Sequence, residues 1–333
     1  GQSYAPFLLH DLVPRGTLFP RMEISSEPEI QTSHGQGTLN LLIGRNASYT
    51  DVNDRFLGDR FEAAHPTLFE YLRTASGVPM HETLLINGED RTDEEFYAFS
   101  NHEDFGIEHR SSVLSLYRFK CYLLRRQLEA GGLEEPVRRE KAQALAKLEA
   151  LDYRDLNREG QGPEIDAFWE RWRAHYGDSG LVNPRGDRLL TELAVRALRE
   201  LRPRFMIINY NDPDYVHWGN ASHYTRAIAI IDEGLRRLVD TVEADPFYRD
   251  RTLFAIAPDC GRDDNRYMAL PYQHHFNSRS SREVFALFFG PGIARGGVVD
   301  QRVEQIAVTP TLGRLMDVPT LHCDAPPLEQ VFA

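Results

Sequence analysis

Three polar clusters in the second half of the chain carry the residue types that hold metal ions. "NDPDYVHWGN" (residues 211–220) supplies Asp212, Asp214 and His217. "PDCGRDD" (residues 258–264) supplies Asp259, Cys260, Arg262, Asp263 and Asp264, and "QHHF" (residues 273–276) supplies His274 and His275. Carboxylate and imidazole ligands suit zinc, and with more oxygens manganese or magnesium. Each cluster alone has a plainer reading. Asp after a strand is a cap or turn former, a His beside a Trp, as in His217–Trp218, is packed or solvated, and a His pair on a polar loop is solvated. Only a fold that gathers all three makes them one site.

The flanking elements predict such a fold. "RFMIINYN" (204–211), "TLFAIAPD" (252–259) and "EVFALFFGPG" (283–292) are apolar runs that read as buried strands. Between and before them, residues 186–203 read as a helix ending at Pro203, and residues 223–245 as a helix with Ile228, Ile231, Leu235, Leu238 and Val242 near the 3.6 period. Apolar strands alternating with amphipathic helices indicate an α/β fold, with a mostly parallel central sheet covered by helices on both faces. In such sheets ligands sit beyond the carboxyl ends of the strands. Asp214, His217 and Asp259 follow two of those ends, and His274 and His275 precede the third strand.

The first half is less regular. "TLNLLIGR" (38–45) and "ETLLINGED" (82–90) are short apolar runs stopped by glycine. Residues 63–76 read as a helix. Residues 96–180 are highly charged and helically periodic, broken at Gly131, Gly132 and Pro136, and predict a helical insertion or cap within a single domain spanning residues 1–333. The charge runs at 120–160 read as solvated faces.

Composition bounds the partners. With 41% hydrophobic residues the chain has material for a core, and a net charge of −12 argues against broad nucleic-acid binding. The cysteines Cys121, Cys260 and Cys323 lack CxxC spacing, so neither a disulfide framework nor a cysteine zinc site is signalled. No apolar run reaches 18 residues, so no transmembrane helix is expected. The opening residues lack a signal-peptide pattern.

In order and spacing these segments resemble the alkaline phosphatase superfamily of phosphatases, sulfatases, phosphodiesterases and phosphoglycerate mutases. The matching stretches are "NYNDPDYVHWGN", "IDEGLRRLVDTV", "TLFAIAPDCGRDD", "HH" before "FALFFGPGI", and the closing "VEQIAVTPTLGRLMDVP". "TSHGQGTLNLLIGR" is similar to the helix that bears the family's nucleophile, and "YAPFLLHDLVPRGTLFPRM" to the segment after its first strand.

The resemblance implies a site for two divalent metals, zinc above manganese or magnesium. One would take Asp214, His217 and one of His274 and His275, with His275 favoured by its closeness to the strand. The other would take Asp259, Cys260, a carboxylate from the first strand and the nucleophile. Asn40, Arg45 and Arg262 are candidates for steadying the substrate.

Three positions depart from the pattern. Asp259–Cys260 stands where the family has Asp-His. Ten residues before Gly44 stands His34 instead of a hydroxyl or thiol, with Thr32 and Ser33 beside it. The first-strand carboxylate has no counterpart, because the sequence opens at about the point where that strand would end.

Two functions follow. One is a sulfatase-like protein with altered nucleophile and second-metal positions, weakly active or inactive, holding one metal or none and serving a binding or structural role. The other is an active metal-dependent hydrolase of phosphate or sulfate esters using Thr32 or Ser33. The insertion could also bind a protein partner, and the resemblance favours a periplasmic or secreted setting.

Overall fold

Strands form where the chain is apolar on both faces. The computed structural model describes residues 3–30, 32–47, 63–88, 97–151, 160–182, 185–217, 219–264, 272–274 and 276–333. Two sheets share the interior. In the first, β1 (Gly16–Glu23) pairs antiparallel with β6 (Glu283–Phe289), and β6 pairs antiparallel with β5 (Phe254–Ile256). Two short strands, β7 (Gly297–Val298) and β8 (Val303–Glu304), run parallel to β1. In the second, β2 (Thr83–Ile86) lies between β3 (Ser112–Leu114) and β4 (Phe205–Ile208), all parallel.

The expected α/β architecture is present, with the strand at 283–289 reversed relative to its neighbours. The sequence pattern did not predict β1, because Pro20 interrupts it. Pro20 is tolerated because the β1–β6 register shifts between Phe19 and Met22, and at such an irregularity the missing N–H leaves no rung broken.

Alternate residues of each strand face opposite layers. Leu84, Ile86, Met206, Ile208 and Phe254 pack on α6 (Asp187–Glu200) and α7 (Ala221–Ala244), through Leu193, Ala197, Leu238 and Val242. Leu85, Val113, Phe205 and Ile207 pack on the other side, against Leu39, Leu42 and Ile43 of α1 (His34–Ile43) and Phe69 of α2 (Leu68–Ser76). The apolar stripe read at residues 223–245 is the buried face of α7, with Leu235, Leu238 and Val242 inside.

Residues 96–180 contain the expected helices: α3 (Leu116–Glu129), α4 (Glu135–Glu149) and α5 (Pro163–Tyr176). They also contain β3, which the charged composition hid. α3 and α5 bury Phe119, Phe168, Trp169 and Trp172 in the same core as Leu84 and Ile86, so this part of the zone is joined to the second sheet. α4 has no buried residue, as its charge run predicts.

Among the described residues no strand joins β4 to β5, so the two sheets are separate. No helix among the described residues is long and apolar enough to cross a membrane.

Candidate metal centre

The site forms where α1, the segment after β4, the segment after β5 and the segment before β6 meet. His34 is the first residue of α1. Ser33 caps that helix by accepting the N–H of Gln36 at 3.0 Å, and Gly44, at φ 67°, ends it. Both are strong terminus signals. The first turn of α1 lies directly on the backbone of residue 259. A Cβ at Gly37 would stand 1.9 Å from the Asp259 carbonyl oxygen, so only glycine permits this approach. Gln305 fixes the other side of that segment by donating to the carbonyls of Pro258 and Asp259, each at 2.8 Å.

Asp214 and His217 sit on a single 3-10 turn after β4, three residues apart, so both side chains point the same way. Their rings and carboxylates converge. His34 Nε2 lies 2.7 Å, His217 Nε2 2.8 Å and His274 Nε2 3.6 Å from the same atom, Asp214 Oδ1. The four donor atoms of His34, Asp214, His217 and His274 all fall within 4.8 Å of one another, and a second set of three, His34, Asp259 and Cys260, shares His34.

The other ring nitrogen, Nδ1, is 2.6 Å from Asp259 Oδ2 and 3.6 Å from Cys260 Sγ. Arg262 donates to Asp214 Oδ1 at 3.1 Å and to the carbonyls of Pro213 and Tyr272 at 2.7 and 2.9 Å. A guanidinium thereby holds the turn that carries Asp214.

Charges respond to this crowding. Burial pulls the His34 imidazole down, but the Asp259 charge and hydrogen bonds with Asp214, Asp259 and Cys260 outweigh it and raise its pKa well above the usual value. Burial pushes Asp259 up, and the His34 charge and hydrogen bond more than reverse this, leaving it below the ordinary carboxylate value. Burial, then the Asp259 charge, raise the Cys260 thiol to about 11. Without a cation bound, Cys260 is a neutral thiol.

The structure gathers Asp214, His217, Asp259, Cys260, His274 and Arg262 from the sequence candidates. His275 lies outside the described residues. Thr32 is buried and donates to the carbonyl of His274 at 2.5 Å, and the Ser33 hydroxyl is used in capping. Asn40 is buried behind α1, where it donates to the Ile24 carbonyl at 2.8 Å and accepts from Gln36. Arg45 lies beyond the far end of α1, 3.1 Å from Asp324, and does not reach the site. Asp263 is buried and accepts from the backbone N–H of Phe276 and Ser278.

Sequence reasoning placed His34 at the nucleophile position but did not see its two carboxylate partners. It also passed over Asp187, which is 1% exposed and accepts the N–H of Asn211 at 2.7 Å and of Asp212 at 2.9 Å. That carboxylate anchors the chain between β4 and the Asp214 turn. Its position at the first turn of α6 reads from sequence as an ordinary cap.

The arrangement defines a class: an α/β protein with a cluster of His, Asp and Cys side chains that could hold a cation at the carboxyl edge of its strands. Its fold is that of the alkaline phosphatase superfamily, as the order of motifs implied. No family model matches the chain, and no curated protein matches it by sequence. Among solved structures it is similar to a protein in the alkaline phosphatase superfamily from Vibrio parahaemolyticus, at 13% identity and TM-score 0.50 over 98% of this chain and 64% of the other. It is also similar to the lipoteichoic acid synthase LtaP from Listeria monocytogenes, at 11% identity and TM-score 0.54 over 96% and 68%. The alkaline phosphatase PafA aligns at 10% identity and TM-score 0.54 over 96% and 93%. The chain thus spans less than two thirds of the Vibrio protein. Likeness at this identity establishes the fold, and function must be argued from the site.

Proposed function

We propose that this protein keeps the fold of a metal-dependent ester hydrolase but uses the site to bind one divalent cation, of zinc type, without turnover. The observation that carries this reading is the set of four protein donors converging on one point: three imidazoles and one carboxylate. Structural zinc sites are closed by four protein ligands, whereas catalytic ones keep a position open for water or substrate.

The donors fit such an ion after a small expansion. A tetrahedral site with arms of about 2.0–2.1 Å has edges of roughly 3.3 Å, and three of the edges here measure 2.7, 2.8 and 3.6 Å. The surroundings fit as well. A ligating His usually gives its other N–H to a carboxylate, which fixes the tautomer and strengthens the ligand. Asp259 stands 2.6 Å from His34 Nδ1 in that role. Bound there, a cation would tie α1, the β4 turn and the segment before β6 into one unit.

The loss of turnover rests on the same residue. By the family resemblance, the place of the attacking group falls to His34, an imidazole held by two carboxylates. Neither neighbouring hydroxyl is free to replace it, since Thr32 donates to His274 and Ser33 caps α1. The protein therefore acts as a binding or structural component. The periplasmic or secreted setting belongs to this proposal and rests on the family resemblance.

Metal analysis of protein prepared without chelator, run beside hydrolysis assays with aryl phosphate, phosphodiester and aryl sulfate, tests the reading. One ion per chain and no turnover is expected. Two ions with turnover that disappears on Thr32→Ala or Ser33→Ala would restore the hydrolase, and turnover lost only in His34→Ala would make the imidazole a nucleophile.

A further inference from the structure

Four nitrogens crowd one oxygen. Around Asp214 Oδ1 stand His34 Nε2 at 2.7 Å, His217 Nε2 at 2.8 Å, Arg262 Nη2 at 3.1 Å and His274 Nε2 at 3.6 Å. Three of them belong to imidazoles. A neutral imidazole carries a lone pair, so each ring can change from a neighbour of Asp214 into a ligand of an ion bound there. The fourth belongs to a guanidinium, which has no lone pair to offer and keeps its charge at any ordinary pH. An ion on Asp214 therefore recruits the three rings and is opposed by Arg262.

The guanidinium is not free to step aside. Its side chain is only 13% exposed. Nη1 donates to the Tyr272 carbonyl at 2.9 Å and Nη2 to the Pro213 carbonyl at 2.7 Å. Nη1 also lies 3.4 and 3.5 Å from the two ring nitrogens of His217. Moving away would strip both carbonyls of a charged donor. Nor is there a second anion to turn to, since among the described residues Asp214 is the one carboxylate within ion-pair distance of Arg262. His34 differs, because its other ring nitrogen faces Asp259 at 2.6 Å. An ion that takes Asp214 thus leaves a nearly buried guanidinium without its counter-charge, which is destabilising.

We propose that Arg262 is a built-in rival of the cation for Asp214. It neutralises that carboxylate while the site is empty, and it weakens the hold on the ion once the site is filled. In the empty state it ties its own segment after β5 to Pro213 after β4 and to Tyr272 before β6, so the donors stay gathered without an ion. The site is then reversible: it takes up and gives back its ion as the free concentration changes. This inference deepens the cation-binding reading above and rests on it. It predicts effects of opposite sign. A neutral side chain at position 262 makes the ion-free protein less stable and the ion-bound site tighter, whereas a residue that only braced the Asp214 turn would, on removal, lower both.

The test is calorimetric titration with zinc, together with Tm in chelator, on the full chain and three variants. Arg262→Met should bind zinc at least about tenfold more tightly than wild type, because a like charge beside the ion is gone, and should melt at a lower temperature in chelator. Arg262→Gln, whose amide can still donate to a carbonyl, should show the same gain in affinity, and it decides the matter if Arg262→Met does not fold. Arg262→Lys keeps the charge and should bind zinc no more tightly than wild type. Zinc bound by wild type and no more tightly by the neutral variants overturns the proposal alone, as does a gain in Arg262→Lys equal to that in Arg262→Gln. Zinc bound by the neutral variants but not by wild type supports the rivalry and overturns only the reading that the natural protein holds an ion. Zinc bound by none of the four proteins overturns both.

Discussion

Asp259 Oδ2 lies 2.6 Å from His34 Nδ1, on the side of the ring opposite the other three donors. The contact orients the imidazole so that Nε2 points at Asp214, His217 and His274. Asp259, which a two-metal site would use in its second set, here holds the ring that belongs to the other cluster.

That relationship predicts the behaviour of Asp259→Ala. Losing a carboxylate behind a ligating His costs about 10–100-fold in metal affinity. Isothermal titration with zinc should show this weakening with stoichiometry unchanged. His34→Ala, which removes the donor itself, should weaken binding further. Equal affinities for wild type and Asp259→Ala would mean that the ring is not a ligand.

Metal removal should be visible as lost stability. The cation would link segments more than 200 residues apart in sequence, and a ligand that binds only the folded state stabilises it by about 2.7 kcal/mol at 100 times its Kd. Adding chelator should therefore lower Tm by several degrees, and adding zinc should restore it. In the His34→Ala variant the two conditions should give the same Tm.

Gly37 gives a prediction that needs no metal. A methyl group at this position would stand 1.9 Å from the Asp259 carbonyl oxygen, and the obstacle is backbone, which cannot rotate away. Gly37→Ala should cost about 2–4 kcal/mol, in the range of severe overpacking, and should separate α1 from the loop after β5. Thermal unfolding checks the first effect. Loss of zinc binding beyond what the lower Tm explains checks the second.

Much of this fold could be read in the sequence, for physical reasons that differ by element. α2, α6 and α7 were legible because the 3.6 period is a local signal, clearest in the Leu235–Leu238–Val242 stripe, whereas α1, a short apolar run, was reached only through the family resemblance. β4, β5 and β6 were legible as apolar runs. β1 was not, since Pro20 masks a strand that survives through an irregular register. β3 was lost in a charged neighbourhood, because only three residues carry it.

Asp214, His217 and the His274–His275 pair stood out because they follow or precede strands, although closeness to the strand favoured His275 over His274, the one that lies beside Asp214. The two partners of His34 could not be seen, since contacts across 180 and 225 residues leave no local pattern. The same holds for Asp187, whose partners Asn211 and Asp212 lie 24 and 25 residues further on.

Asp187 supplies the pH dependence. Burial, with the nearby Asp212 charge adding to it, raises its pKa from 3.8 to about 7, although the N–H groups of Asn211 and Asp212 pull in the other direction. Asp212 is itself raised by burial and lowered in part by Arg188. A group with a raised folded-state pKa holds its proton more tightly when folded. Its stabilising contribution is complete below about pH 3.8 and is lost as pH rises through 7. Asp187→Asn cannot ionise, so it lacks this slope, while its fixed cost from mispairing one of the two backbone N–H groups is the same at every pH. The Tm of Asp187→Asn relative to wild type should therefore climb between about pH 4 and pH 7 and level off above it, as the wild-type carboxylate is forced to charge in a closed site. A difference that stays flat across that window would show that Asp187 is already ionised in the fold and that its two hydrogen bonds to Asn211 and Asp212 outweigh its burial.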